Sequence, residues 1–378
     1  MPGHELIGNK ELSEIKKIFQ QSDGVLFAHG FDQRRNNIFR VRTFENNLKK
    51  FFKSKHALCV SSGTAAIKIA LKACGVKRGD EVITQAFNFI ATVEAILDVG
   101  AIPIITNIDE TLNMCPDDLR KKITPKTKAV IPVHMLGFSA KIEEIEKVCN
   151  KKKIKIIEDN CESIGGKYKK KFLGNFGNVG IMSFDFGKNI TTGEGGCILT
   201  NDKKIYKYCN EYHDHGHELN PKFPRGMDTV KNPGFNYRIT ELQAAVGIVQ
   251  LKRLNFILKE NKKRYEILLK NLKKKFLIRH LIKGSKSSMD TFMFRVENKS
   301  LRLKIVKFLR KSGIGIKNVP DAIKWHFASY WDHAISKKQI KSISRSKKEI
   351  EKYVAIPISL KISSKTYDNV AKKIYSIK

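Results

Sequence analysis

From residue 57 to about 200 the apolar positions fall in short runs separated by longer amphipathic stretches. Glu81 to Gln85 and Ile102 to Ile105 read as strands, with a helix from Asn88 to Val99 between them. Pro116 to Ile123 reads as a helix and Ala129 to Val133 as a strand. Ala140 to Lys151 reads as a helix with acids near its start and lysine near its end, the polarity a helix dipole favours. Ile154 to Ile157, Val179 to Phe184 and Gly196 to Thr200 read as further strands. This alternation predicts βαβ units and a mainly parallel sheet, an α/β fold. From Thr240 a helical pattern runs to about Leu272, with Leu242, Val246, Val249 and Leu251 among its apolar positions. A helix this long could join two domains. The remainder, with a strand near Phe292 to Val296 and helices near 300–311 and 364–376, reads as a small α/β domain. The expected organisation is an N-terminal arm and large domain over residues 1–250, then a linking helix and small C-terminal domain over 251–378.

At 378 residues the chain exceeds what one core usually organises, and its 41% hydrophobic content can bury a sizeable core. Ala86 to Thr106 is apolar, but Asn88, Glu94, Asp98 and Pro103 interrupt it, so no membrane span or membrane partner is expected. Met1 to Glu14 is polar and carries acids, which predicts no secretory signal. The seven cysteines are scattered, with no C-x-x-C pair, as in reduced thiols of a cytoplasmic protein. The net charge of +35 would suit a nucleic-acid binder. However, lysines recur along the chain in runs such as Lys151-Lys152-Lys153 and Lys273-Lys274-Lys275, at helix ends or turns. There is no basic tail and no aromatic-interleaved basic strand, so specific nucleic-acid recognition is not expected.

The most informative stretch runs from Ser183 to Gly196. There a single lysine, Lys188, stands between an apolar strand and a glycine-rich turn, where other groups can approach the backbone closely. Upstream, Ile154 to Ile157 runs into Glu158 and Asp159. This puts a carboxylate at a strand end, the place where open α/β sheets bind ligands. A third element, Ser61 to Ala66, opens the apolar run Ile67 to Leu71; a small-residue turn into a helix leaves free N–H groups for a phosphate. Phosphate cup, acid and amine in this order suit pyridoxal 5'-phosphate (PLP), whose aldehyde forms a Schiff base with lysine and whose ring nitrogen pairs with an acid. Plainer alternatives are a solvated loop lysine and an ordinary Ser/Thr helix cap.

These residues resemble those of the DegT-type sugar aminotransferases, fold-type I PLP-transferases that install amino groups on keto sugars. Further matching stretches are Gly79-Asp80-Glu81-Val82-Ile83, Ile108-Asp109-Glu110-Thr111, Val133-His134-Met135-Leu136-Gly137 and Asn236 to Ala245. The resemblance runs from Met1-Pro2-Gly3-His4-Glu5-Leu6 into the long helix and fades in the C-terminal hundred residues. Met1-Pro2-Gly3, Cys161 beside Asp159, Asp214-His215-Gly216-His217 and Trp325-His326 are similar to the subgroup that makes 8-amino-3,8-dideoxy-manno-octulosonate, the amino form of the lipopolysaccharide sugar Kdo.

The resemblance implies a large domain with a mainly parallel central sheet, a small C-terminal α/β domain, and a cytoplasmic homodimer with shared active sites. The enzyme would take an amino group from glutamate and pass it to a keto sugar for a surface polysaccharide. Lys188 would carry the cofactor and shuttle the proton; Asp159 would keep the pyridine nitrogen protonated. Phe89 would stack on the ring and Cys161 pack on its other face. Gly63, Thr64 and Ala65, with the Ser183 hydroxyl, would hold the phosphate, and Asn236 would reach it from the neighbouring subunit. On pattern alone, helix core would be preferred for Phe89, and Asn236 could equally be a turn residue.

Glu162 departs from the family's usual Gln or His beside the cofactor's phenolic oxygen. A glutamate would repel a phenolate, so it is protonated, or turns away, or is screened by a neighbouring cation. On the substrate side the resemblance puts His215 and His217 near the sugar. Arg34 and Arg35 could hold a carboxylate or phosphate bidentately, or belong to a solvated loop. Trp325 and His326 fit a sugar-stacking position, or a buried aromatic pair. His213, His215 and His217 alternate, but no fourth ligand stands at zinc-site spacing, so no metal is expected. The alternatives are a PLP sugar dehydratase of the same family, which carries histidine where this chain has Lys188, and a non-catalytic PLP-binding or nucleic-acid-binding regulator.

Overall fold

The structure, a computed structural model, describes residues 2–220, 222–223 and 226–378; Met1, which opens one family-like stretch, lies outside them. The strands are β1 (His56–Val60), β2 (Glu81–Gln85), β3 (Ile102–Thr106), β4 (Thr127–Ile131), β5 (Lys155–Asp159), β6 (Lys167–Tyr168), β7 (Lys171–Phe172), β8 (Val179–Ser183), β9 (Gly196–Thr200), β10 (Leu277–Ile278), β11 (Ser285–Lys286), β12 (Thr291–Arg295) and β13 (Tyr353–Pro357). The helices are α1 (Pro2–Glu5), α2 (Asn9–Gln21), α3 (Arg40–Phe52), α4 (Gly63–Ala73), α5 (Ala91–Asp98), α6 (Pro116–Lys122), α7 (Ile142–Lys152), α8 (Lys203–Tyr212), α9 (Glu241–Leu272), α10 (Lys299–Lys311), α11 (Ile323–His326), α12 (Lys337–Ser342), α13 (Ser344–Ile350) and α14 (Ser364–Ser376).

The main sheet has the strand order β1-β9-β8-β5-β4-β2-β3. Neighbours from β8 to β3 are parallel; β9 runs antiparallel to both β8 and β1. The central strands are apolar along their length because both faces are covered. On one face Ile181 and Ile198 meet Ile67 and Leu71 of α4. On the other Met182 and Leu199 meet Phe44 and Leu48 of α3 and Leu254 of α9. α9 opens with a capping box between Thr240 and Gln243. Its first half belongs to that second core, and its later residues Tyr265, Leu268 and Leu272 pack with Phe292, Phe294 and Ile356 of the small sheet β10-β12-β13. A third sheet of two-residue strands, β11-β6-β7, was not legible in the sequence.

Because β1, β2, β4, β5 and β8 run the same way, their following segments meet at one edge of the sheet. Those segments carry Ser62 to Thr64, Asn88 and Phe89, Val133, Cys161 and Glu162, and Asp185 to Lys188.

Candidate active site

These strand ends close around a cavity of about 340 Å³, within the usual range of small-molecule sites. Gly63, Thr64, Phe89, Asp159, Cys161, Glu162, Ser183, Lys188 and His326 line it, together with Lys317 and Asn318. Two larger cavities, of about 790 and 1040 Å³, are lined by none of the sequence-predicted site residues.

The start of α4 forms one wall. Ser62 caps the helix by accepting the Ala65 N–H on its hydroxyl (3.0 Å), and the Ala66 N–H bonds the Ser62 carbonyl (3.0 Å). This leaves the Gly63 and Thr64 N–H groups as first-turn donors without intrahelical partners. Ala65 is a correction to the expected phosphate cup: the cap uses its N–H, and its side chain is buried outside the cavity lining. A Cβ on Gly63 would lie 2.8 Å from Ser183 Cβ and 3.3 Å from Cys161 Sγ, so glycine lets α4 approach β8 this closely.

Asp159 ends β5 and is buried. Its Oδ2 accepts the Thr92 hydroxyl (2.9 Å) and its Oδ1 accepts the Cys161 N–H (3.1 Å), so both oxygens are fixed. Across the cavity Lys188 forms an ion pair and hydrogen bond with Glu162 Oε1. Glu162 Oε2 accepts no hydrogen bond among the described residues and lies 3.8 Å from Lys317 Nζ, which in turn donates to Asp290 Oδ2 (2.8 Å). Burial alone would raise the Glu162 pKa, but Lys188 and Lys317 together pull it down to about 2. Glu162 is therefore ionised and screened by cations. Burial would likewise lower the Lys188 pKa, but the Glu162 carboxylate outweighs it and holds the amine above its ordinary value. Burial, and then the charge of Asp159, push the Cys161 thiol well up, so it stays protonated. Burial lowers His326, whose Nδ1–H donates to the Ala322 carbonyl (2.8 Å).

Phe89 is 42% exposed and lies 5.2 Å, centre to centre, from the His326 ring. It is not helix core, because α5 starts at Ala91 and leaves Phe89 in the approach to the helix. Sequence reasoning missed Thr92, Lys317 and Asn318. Thr92 reads as one more polar helix residue, and Lys317 lies where the family resemblance fades.

Other expected residues lie elsewhere. Arg35 is fully buried, paired with Glu241 (2.8 Å) and donating to the carbonyls of Phe27 (2.7 Å) and Ile38 (3.1 Å). It ties the N-terminal arm to the start of α9, which corrects its expected role as an anion holder. Arg34 pairs with Asp23 (2.6 Å) in an exposed loop and does not line its own chain's cavity. His215 is exposed, with φ of 54°; His217 pairs with Asp228 (3.2 Å); neither lines the cavity. Burial pulls His213 down to about 4. Among the described residues no cluster with metal-ligand chemistry is found. Trp325 is exposed outside the cavity lining, unlike its neighbour His326. Asn236 is exposed, bridges to Asp214 through the backbone, and does not line its own chain's cavity.

The sequence profile of the DegT/DnrJ/EryC1/StrS aminotransferase family matches residues 33–375. A GDP-perosamine synthase of Escherichia coli O157:H7 is 37% identical over 253 residues, covering 67% of this chain and 66% of that protein. The spore coat polysaccharide biosynthesis protein SpsC of Bacillus subtilis is 36% identical over 256 residues, covering 66% of this chain and 63% of that protein. The chain thus spans less than two thirds of the length of either relative. Among solved structures, the aminotransferase from Psychrobacter cryohalolentis shares the fold, with a TM-score of 0.86 at 23% identity over 98% of this chain and 97% of that one.

Proposed function

The chain belongs to the DegT/DnrJ/EryC1/StrS aminotransferase family, and from that premise we propose that it is a PLP-dependent aminotransferase moving an amino group from glutamate to a keto sugar for surface polysaccharide synthesis. The observation that carries this reading is the meeting, in one cavity, of Lys188, the buried Asp159 and the open N–H groups of α4.

These residues fit the cofactor. Gly63 and Thr64 offer N–H groups beside the Ser183 hydroxyl for its phosphate. Asp159 offers a fixed carboxylate for a pyridine N–H, and Phe89 and Cys161 offer uncharged surface for its ring. When bound, PLP condenses with amines and serves as an electron sink for charge developing at the adjacent carbon.

Within this reading each residue has a defined task. Lys188 is charged while Glu162 holds it, so it has to leave that partner before its amine can act as nucleophile or base. Glu162 is not left uncompensated, because Lys317 remains its second cation. Asp159 holds a proton at the ring nitrogen, and Thr92 keeps the carboxylate oriented. Lys188 also argues for amino transfer over the dehydratase alternative.

The proposal includes a homodimer in which Asn236 serves the neighbouring subunit's phosphate, since it lies outside its own chain's cavity. It includes a cytoplasmic location; no described helix is long and apolar enough to cross a membrane. The name of the GDP-perosamine synthase relative supports a nucleotide-linked keto sugar, whereas the octulosonate resemblance supports a free keto acid sugar. A panel of both classes, assayed for glutamate-dependent amination, separates them.

The direct test is cofactor capture. PLP-loaded protein should be yellow, and borohydride should fix the cofactor on Lys188. Lys188→Ala should still bind PLP noncovalently and lose turnover. A reduced adduct mapped to another lysine would overturn the assignment.

A further inference from the structure

The positive charge is not evenly shared along the chain. Residues 251–378 hold 34 Lys and Arg against 9 Asp and Glu, whereas residues 1–250 hold 38 against 28. The last third of the sequence therefore carries most of the net charge. Lysines do recur throughout, but they are left uncompensated mainly here.

The fold gathers much of this surplus on one helical layer, with a further share on α12 and α13. The second half of α9, α14 and α10 pack together around a core that includes Tyr265, Leu268, Ile305, Leu309, Tyr367 and Ile374. Their outward positions are cationic: Lys263 and Lys270 on α9, Lys273 and Lys274 just beyond it, Lys307 on α10 and Lys373 on α14 are all exposed. The acids on these helices are already neutralised. Glu260 pairs with Arg264 (2.7 Å), Glu266 with Lys262 (3.5 Å) and Asp368 with Lys372 (2.6 Å).

Three large apolar side chains stand among these cations. Leu277 is 61% exposed, Leu303 58% and Tyr375 45%. Local bonds draw their segments together. Lys275 donates to the carbonyls of Tyr375 and Ile377 (2.6 Å each), and Lys304 donates to the Lys378 main-chain oxygen (3.0 Å). The ends of α9 and α14 and the first half of α10 therefore meet at one edge.

Cations alone suit any polyanion. Exposed apolar groups within a cationic field narrow the choice. Interfacial membrane binding combines electrostatic attraction to anionic lipid with apolar side chains at the acyl boundary. Duplex nucleic acid is held mainly through phosphates, by cations and polar groups. We propose that this face docks the protein peripherally on an anionic phospholipid bilayer, with the lysines over the headgroups and Leu277, Leu303 and Tyr375 at the acyl boundary. The proposal is independent of the catalytic reading. It is also compatible with the lack of a spanning helix among the described residues.

Cosedimentation of the full chain with vesicles tests it, at about 0.1 M salt, where charges are screened beyond roughly 10 Å. Binding should appear with phosphatidylcholine vesicles containing one-third phosphatidylglycerol, be absent with phosphatidylcholine alone, and weaken as salt is raised. One lysine near an anionic leaflet strengthens binding about fivefold. A chain carrying Lys273→Gln, Lys274→Gln, Lys307→Gln and Lys373→Gln should therefore bind roughly several hundredfold more weakly. A control with Lys77→Gln, Lys126→Gln, Lys128→Gln and Lys152→Gln, exposed lysines of the large sheet's surroundings, has the same net charge and should bind as the parent does. Leu277→Gln with Leu303→Gln should weaken vesicle binding and leave any binding to duplex DNA unchanged. All these positions are exposed, and unchanged thermal melts verify folding. Equal losses in the two lysine sets would overturn the proposal. So would equal binding to neutral and anionic vesicles, or duplex DNA binding tighter than vesicles with no effect of the leucine changes.

Discussion

Glu162 is where the charge balance of the site is decided. It stands between Lys188 and Lys317, and the pair holds its pKa near 2. The ordinary carboxylate value in an unfolded chain is about 4.3. A depressed acid contributes stability that is present above the unfolded value and lost as pH falls through the folded one. For Glu162 that loss falls between about pH 4 and pH 2. Lys317→Met removes one of the two cations, so the Glu162 pKa rises toward its unfolded value, and the acid limb it contributes to the ligand-free protein's stability should shrink and end at higher pH. At neutral pH the same change leaves Glu162 and Asp290 short of a buried partner and should cost about 3 kcal/mol in urea denaturation. Adding Glu162→Gln should recover part of that loss; a double variant no more stable than Lys317→Met would assign the cost to Asp290 alone. Asp159→Asn should keep PLP yet slow amino transfer at least about a hundredfold, since one charge-stabilising group is commonly worth about 3 kcal/mol or more. A single-turnover absorbance trace near the parental rate would remove Asp159 from the chemistry. Lys188 and Asp159 were legible in the sequence because a lone lysine in a glycine-rich turn and an acid at a strand end are local patterns. Lys317 was not: what buries it is Asp290, a distant residue, and no local periodicity marks a lysine as an interior group.

At the level of elements, the strand–helix alternation from β2 to β5 could be read directly, because buried parallel strands are apolar runs whose flanks change period. The start of α5 could not. Apolar spacing extends that helix back to Asn88, but the Asn88 N–H donates to the His326 carbonyl (3.0 Å) and the Ile90 N–H to the Trp325 carbonyl (3.1 Å). These long-range bonds replace the helix's first turn and leave Phe89 at the cavity. The β1–α4 junction makes a sharper test. Gly63→Ala puts a methyl group 2.8 Å from Ser183 Cβ, so α4 must shift from β8 or strain must be carried. Overpacking of this kind should cost about 1–3 kcal/mol. PLP affinity should fall along with the melting temperature, because the displaced groups are the Gly63 and Thr64 donors. Ser183→Gly in the same chain should relieve much of the melting-temperature loss. An undisturbed Gly63→Ala protein with parental PLP affinity would show that the junction yields easily and that its closeness has no role in phosphate binding.

On the scale of the whole molecule, long-range polar ties join parts that no local pattern connects. Arg35 couples the arm to α9 through Glu241. Arg279 is fully buried and donates to the carbonyls of Thr111 (2.8 Å) and Met135 (2.9 Å), linking the segment before β12 to the loops after β3 and β4. Assembly is a step further from the sequence, and Asn236 makes it testable. In its own chain the residue is exposed and away from the cavity, so under the proposed dimer its partner is the neighbouring subunit's phosphate. Asn236→Ala should then weaken PLP binding while leaving Lys188 intact. Lys188→Ala chains lack the amine but retain Asn236. When the two variants exchange subunits, one site of each mixed dimer receives Lys188 from the first chain and Asn236 from the second, a combination absent from either parent. Activity should therefore reappear on mixing, at a cofactor level where the Asn236→Ala parent is mostly empty. Subunit exchange is verified independently by differential tags. Mixed dimers no more active than their parents would mean that Asn236 serves its own chain or no cofactor at all.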